Sequence, residues 1–253
     1  MRNTVELSAG DEYTFVLTCC WSHEPPPSQI DAAHSLHETL TFWQRWSAHF
    51  PTQGRYADAI RASLVVLKGL SNRLTGGIVA APTTSLPEYI GGTRNRDYRY
   101  CWLRDASFTM LALAGTGFEG EAAAWRDWLV RAIAGHTAQT QIMYTSDGAR
   151  QILEWECPTL SGYEASRPVR FGNAAVLQSQ HDIHGEVMNA LYVARRHGMP
   201  SDADAWVLER GLIDHVAATW REPNNGLWEL QTEAFHPFEG HGVGRRRSCD
   251  PQR

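Results

Sequence analysis

Three short segments of this sequence set an aromatic ring beside charged groups: Trp102-Leu103-Arg104-Asp105, Glu154-Trp155-Glu156 and Trp228-Glu229. A tryptophan face stacks on the C–H face of a sugar ring. A guanidinium fork beside a carboxylate grips neighbouring hydroxyls through charge-assisted hydrogen bonds. With 10 Trp in 253 residues, the chain is well supplied for that kind of recognition. A plainer account exists for each segment. Arg104 and Asp105 can form a structural ion pair, or Asp105 can cap the helix that follows. Glu154, Glu156 and Glu229 can be solvated loop carboxylates.

Other residue sets point to less. His181, Asp182, His184 and Glu186 share one face of an expected helix and have the residue types of a metal site, but such spacings are permissive and no metal or other cofactor is expected. The 5 Cys are an odd set without a C-x-x-C spacing, which indicates neither a disulfide framework nor a zinc site. A formal charge of −5 argues against a nucleic acid or an anionic membrane as partner, since both demand a basic surface. Neither a signal-peptide pattern nor an apolar run of membrane-spanning length is visible, so the expectation is a soluble, cytoplasmic protein.

The elements that must position these residues are mostly helical. Residues 4–21 alternate with a period of two around a turn at Ala9-Gly10-Asp11, which predicts a β-hairpin. Pro25-Pro26-Pro27 then reads as a linker. From Asp31 onward, Leu36, Leu40, Trp43 and Trp46 recur on one helical face. Five more helices are predicted near 55–71, 106–115, 120–134, 173–197 and 201–220, separated by loops rich in Gly, Pro and Thr. The loop over 75–95 is too long for a mere connector, and ordered loops of that length usually carry function. Six helices in sequential pairs suit a bundle or a toroid of antiparallel pairs, between which periodicity does not choose.

Residues 76–106 contain Gly76-Gly77, Ala81-Pro82-Thr83-Thr84-Ser85-Leu86-Pro87-Glu88 and Arg99-Tyr100-Cys101-Trp102-Leu103-Arg104-Asp105-Ala106. Together they resemble glycoside hydrolase family 15, the glucoamylase and trehalase family. The resemblance continues through Ala124-Trp125-Arg126-Asp127-Trp128-Leu129, residues 162–173 and Gly226-Leu227-Trp228-Glu229. It implies a mainly α fold, the first half of an (α/α)6 toroid over 29–231, preceded over 1–28 by the remnant of an N-terminal β-sandwich and a linker. It also implies inverting hydrolysis of terminal α-glucosidic bonds in trehalose or maltooligosaccharides. Arg104 and Asp105 match the pair that holds the terminal glucose, Trp102 and Trp228 match aromatic residues of the pocket, and Arg167 matches an active-site loop arginine. Glu229 matches the general acid. Arg96 departs from the tryptophan usual in this branch, which bears on local loop packing.

After Gln231 the resemblance stops, and residues 232–253 turn basic and Gly-rich without helical period. A coding sequence read one nucleotide later can be made to spell a continuation similar to the family's, so 232–253 are expected to be an out-of-frame tail. In the family the general base lies in the second half of the toroid. The expectation is therefore an acid without its base, with a non-catalytic glucose-binding remnant as the alternative. An unrelated helical toroid, such as a terpenoid-processing enzyme, lacks its acidic motifs here. The purified 253-residue chain is expected to release no glucose from trehalose or maltose in a coupled glucose assay, and measurable release contradicts that.

Overall fold

The computed structural model describes residues 4–50, 53–133 and 137–226. The chain forms two compact units, divided after Phe50. In the first, the backbone N–H of Asp11 donates to the Ser8 carbonyl at 3.0 Å, closing the predicted turn. The Asp11 carboxylate accepts from the Ser8 N–H at 2.8 Å. The strands of the predicted hairpin do not form, and among the described residues 4–31 there is no β-ladder of a sandwich remnant. The physical reason is visible in the side chains: Tyr13, Phe15 and Leu17 are all exposed, and a hairpin with no surface to pack on is marginal in water. Helix α1, Ala32–Ser47, follows, its N-terminus capped by the Asp31 carboxylate accepting from His34 N–H at 3.0 Å. Edge-on contacts of Trp43 with Trp46 and of Trp46 with Phe50 carry its aromatic face forward.

The second unit holds α2 (Ala57–Gly69), α3 (Leu103–Gly115), α4 (Glu119–Ile133), α5 (Asp182–Arg196) and α6 (Ala203–Thr219). The spacing of apolar residues explains their packing. On α3, Leu103, Ala106, Met110, Leu113 and Ala114 recur at three and four residues and are buried. This stripe packs most extensively on α5, through Ile183, Val187, Ala190, Leu191 and Ala194, and then on α4. Trp125, Trp128, Leu129 and Ile133 supply the α4 side of the core. The small residues on both α3 and α5 let the two backbones approach, and the larger ones fill the flanks. Two ion pairs tie the periphery: Lys68 on α2 to Glu121 on α4 at 3.0 Å, and Arg195 on α5 to the buried Glu209 on α6 through both carboxylate oxygens.

Four of the five later helices lie where periodicity predicts them. The fifth differs. Over the predicted helix 173–197, a short 3-10 turn at Ala174–Leu177 is followed by extended backbone at Gln178, and α5 begins only at Asp182. The segment between is held out of the helix by tertiary bonds. Ser179 N–H donates to the Asn225 side-chain oxygen at 3.1 Å, and Asn225 N–H donates to the Ser179 carbonyl at 2.8 Å. Backbone groups that find such partners no longer need the helix to satisfy them.

Three two-stranded antiparallel sheets organise the loops above the helices. β1 (Thr84–Pro87) pairs with β2 (Asn95–Asp97), with an irregularity between Thr84 and Leu86 where Ser85 takes φ +57°. β3 (Cys101–Trp102) pairs with β4 (Met143–Tyr144), and β5 (Trp155–Glu156) with β6 (Arg170–Phe171). β6 also lies against β1 and β2. At the end of β6, Gly172 has φ +79°, and a Cβ there would sit 1.9 Å from the Leu153 carbonyl oxygen. Both its conformation and its space forbid a side chain. Gly172→Ala is expected to lower stability by more than about 2 kcal/mol in chemical denaturation; a loss within experimental error contradicts the placement of this joint.

Candidate active site

Trp102, Arg104 and Asp105 fall at the junction of β3 and α3. The sequence reading put Arg104 and Asp105 in a loop. The helix instead starts at Leu103, so both occupy its first turn, with Trp102 as the residue before it. A carboxylate in a first helical turn is favoured by the helix dipole, so the capping account of Asp105 survives in part beside any functional one. Trp102 is only 3% exposed and pairs with Met143 across the β3–β4 ladder. Its ring centroid lies 5.8 Å from that of Tyr98, which is the exposed ring of the two. Trp102 therefore forms a wall of this region, and Tyr98 its face.

The Arg104 guanidinium is anchored across the fold. Its Nη1 donates to the Gln180 side-chain oxygen at 2.7 Å and to Asp182 Oδ2 at 3.1 Å. Gln180 is 1% exposed, and Asp182 is the first residue of α5. Asp105 keeps an exposed outer edge, yet partial burial of its carboxyl pushes its pKa above the usual carboxylate range, with the Arg104 charge and a backbone hydrogen bond pulling it partly back. The result is a cation fixed in orientation beside an acid whose proton is held more tightly than in water.

The residues of metal-site type, His181, Asp182, His184 and Glu186, are not grouped around one point. Asp182 is committed to Arg104, while His184 is buried beside the His215 ring, with centroids 5.2 Å apart. Burial holds the His184 imidazole neutral, its pKa lowered to about 4, and its Nε2 has no partner. Among the described residues no group of three or more His, Cys, Asp and Glu side chains is placed to hold a metal.

Around this junction the loops are joined by a buried aspartate. Asp97 accepts from Arg99 Nε at 2.9 Å, Arg99 Nη2 at 2.8 Å and Gly172 N–H at 3.1 Å, while its carbonyl accepts from the Asn173 side chain at 3.2 Å. Ser85 Oγ donates to the Arg170 carbonyl at 2.9 Å and accepts from the Arg170 N–H at 2.7 Å. Glu154 and Glu156, candidates for lining a sugar subsite, are spent on this scaffold. Glu154 accepts from Ala174 N–H at 3.0 Å and lies 3.6 Å from both Arg96 and Arg170, and Glu156 accepts from Arg170 at 3.1 Å. Arg96 is thus ion-paired within this loop scaffold. Trp155 stacks on Phe171 at 4.7 Å.

Arg167 is exposed and lines a separate cavity of about 420 Å³ with Glu156, Cys157, Leu160 and Arg170. Neither Arg104 nor Asp105 lines it. Trp228 and Glu229 lie outside the described residues. Sequence reasoning missed Gln180 as a partner of Arg104 and took Asp182 only as a metal-type residue; neither has a local signal, because the contacts span 76 and 78 residues.

A family model described as glycosyl hydrolases family 15 matches residues 54–243, beyond Gln231, where the resemblance in the sequence stops. A trehalase of Mycobacterium tuberculosis is 34% identical over 241 residues, covering 93% of this chain and 35% of its own length. A trehalase of Thermoplasma acidophilum is 34% identical over 82% of this chain and 35% of its own length, and "Trehalase 2" of Sulfolobus acidocaldarius is 38% identical over 72% of this chain and 32% of its own. The chain thus spans about a third of the length of these curated relatives. A solved structure, "Glycosidase Wild Type", superposes with a TM-score of 0.49 at 22% identity, over 68% of this chain and 43% of that one.

The electrostatics give a direct test. In a carbon-detected NMR titration the Asp105 carboxyl is expected to titrate above the value of about 3.9 of an unstructured aspartate. Arg104→Ala moves it higher still, since the cation that favours the ionised form is removed. A midpoint that stays put or falls in the variant contradicts the pairing.

Proposed function

The chain belongs to family 15 of the glycosyl hydrolases, and from that membership we propose that it supplies the glucose-gripping side of an inverting α-glucosidase site. Trehalose is the substrate we favour, because the relatives that match nearly all of the chain are named trehalases; the non-reducing end of a maltooligosaccharide presents the same terminal glucose. The observation that carries the proposal is the placement of Arg104 and Asp105 on the first turn of α3, the arginine anchored at Gln180 and Asp182. In this reading the guanidinium donates to ring hydroxyls, the Asp105 carboxylate accepts from them, and Trp102 backs the pocket; Trp228 and Arg167 are carried over by resemblance alone, Arg167 lining the separate cavity described above.

Hydrolysis with inversion needs a protonated acid at the leaving oxygen and a second carboxylate, roughly 6.5–9.5 Å away, to activate water. Glu229 is the acid in this proposal. It is assigned by resemblance alone, as the residue that follows Trp228. Residues Asn224 and Asn225 are themselves bonded to the loop before α5, which holds Arg104. By the same family resemblance, the water-activating base comes from the second half of the toroid, and the six helices belong to its first half.

Calorimetric titration of the 253-residue chain with trehalose and with glucose tests this. Charge-assisted hydrogen bonds contribute about 1.5–3 kcal/mol each, so Arg104→Ala and Asp105→Asn should each weaken binding by ten-fold or more. Binding should also fade as pH drops through the raised Asp105 midpoint, where the acceptor becomes protonated. Sugar binding that is absent in the parent chain, or unchanged in Arg104→Ala, overturns the proposal.

A further inference from the structure

We infer that Gln180 and Asp182 are positioning residues that aim Arg104 at the sugar, an inference that rests on the glucose-gripping role proposed above. Neither acceptor is adjacent to Arg104 in sequence, and both converge on the same nitrogen, Nη1, at 2.7 and 3.1 Å. A guanidinium is planar, so two acceptors on one nitrogen fix the direction of the whole fork. Without such acceptors a long arginine side chain would spread over several rotamers, and ordering it on binding would cost affinity.

The two acceptors are held by different means. Gln180 is almost wholly buried, and its Nε2 donates to the Gln178 side-chain oxygen at 3.3 Å, which leaves its oxygen for Arg104. Its backbone neighbour Ser179 is fixed by the reciprocal bonds to Asn225. Asp182 sits in the first turn of α5, where the helix dipole favours its negative charge. The pair therefore presents one rigid neutral acceptor and one charged acceptor, both fixed before any ligand arrives.

If the clamp exists only to hold the fold together, its removal should change stability and leave a folded protein binding as before. If it aims Arg104, binding falls while the fold stands. Trehalose affinity by calorimetry, circular dichroism with thermal melting, and nitrogen-15 NMR of the Arg104 guanidinium separate these cases. Asp182→Asn and Gln180→Ala are each expected to weaken trehalose binding about ten-fold, the equivalent of about 1.4 kcal/mol. The guanidinium resonances should show faster rotation of the fork, with the dichroism spectrum unchanged. The double variant Asp182→Asn with Gln180→Glu moves the carboxylate to the neighbouring acceptor and should recover most of the affinity. A merely structural aspartate would not be rescued in that way.

Single variants that bind like the parent chain, while Arg104→Ala does not bind, overturn the positioning role and leave the glucose-gripping reading intact. No binding by the parent chain overturns that reading and the positioning role with it. Where a single variant melts early, the double variant decides: restored binding upholds the clamp, and a folded double variant without restored binding overturns it.

Discussion

The structure depends on the seam between α3 and α5. Along it, Ala106, Met110 and Leu113 meet Ile183, Val187, Ala190 and Leu191, all nearly excluded from solvent. Burying such side chains contributes about 1.5–3 kcal/mol each for the larger ones. Because the ridge residues on one helix have counterparts of fixed size on the other, the seam also sets where the two helices begin. Their first turns meet, so Arg104 on α3 reaches Asp182 on α5. Two helix N-termini brought to one place accumulate partial positive charge. The first-turn carboxylates Asp105 and Asp182 offset it. The polar junction is thus a consequence of apolar packing one turn below.

The loops above the seam are fixed by a different principle. Asp97 is fully buried, and a buried carboxylate is tolerated only when paired and hydrogen-bonded. Arg99, Gly172 and Asn173 satisfy it, which locks β2 to the end of β6. Arg170 extends the same joint to Thr93, Glu154 and Glu156. Residues from 84–102 and 154–173, far apart in the chain, become one platform beside the α3 N-terminus. Several charged residues that look available for ligands are consumed in building it.

This division explains what was legible in the sequence. Apolar periodicity is local, so the helices predicted near 106–115 and 120–134 appear as α3 and α4, although α3 begins three residues earlier, at Leu103. The pair Arg104-Asp105 stood out by its residue types and by the resemblance its neighbours carry, but its place in the first turn of α3 had no such signal. The break before α5 was not, since Ser179 and Gln180 leave the helix to meet Asn225 and Arg104, partners with no signature nearby. Alternation in 4–21 overstated the hairpin, because period two records a pattern and not a surface to bury it on. Glu154 and Glu156 beside Trp155 suggested a subsite, and only their arginine partners show them as scaffold.

The central claim is that Arg104 and Asp105, aimed by the α3–α5 junction, hold one glucose ring. The most direct measurement is a crystal structure of the chain soaked with glucose. The account predicts a single ordered ring whose hydroxyls lie within hydrogen-bond distance of the Arg104 guanidinium and the Asp105 carboxylate, with the Arg104 bonds to Gln180 and Asp182 still in place. A ring ordered elsewhere, or one that leaves Arg104 and Asp105 without sugar contacts, would contradict it.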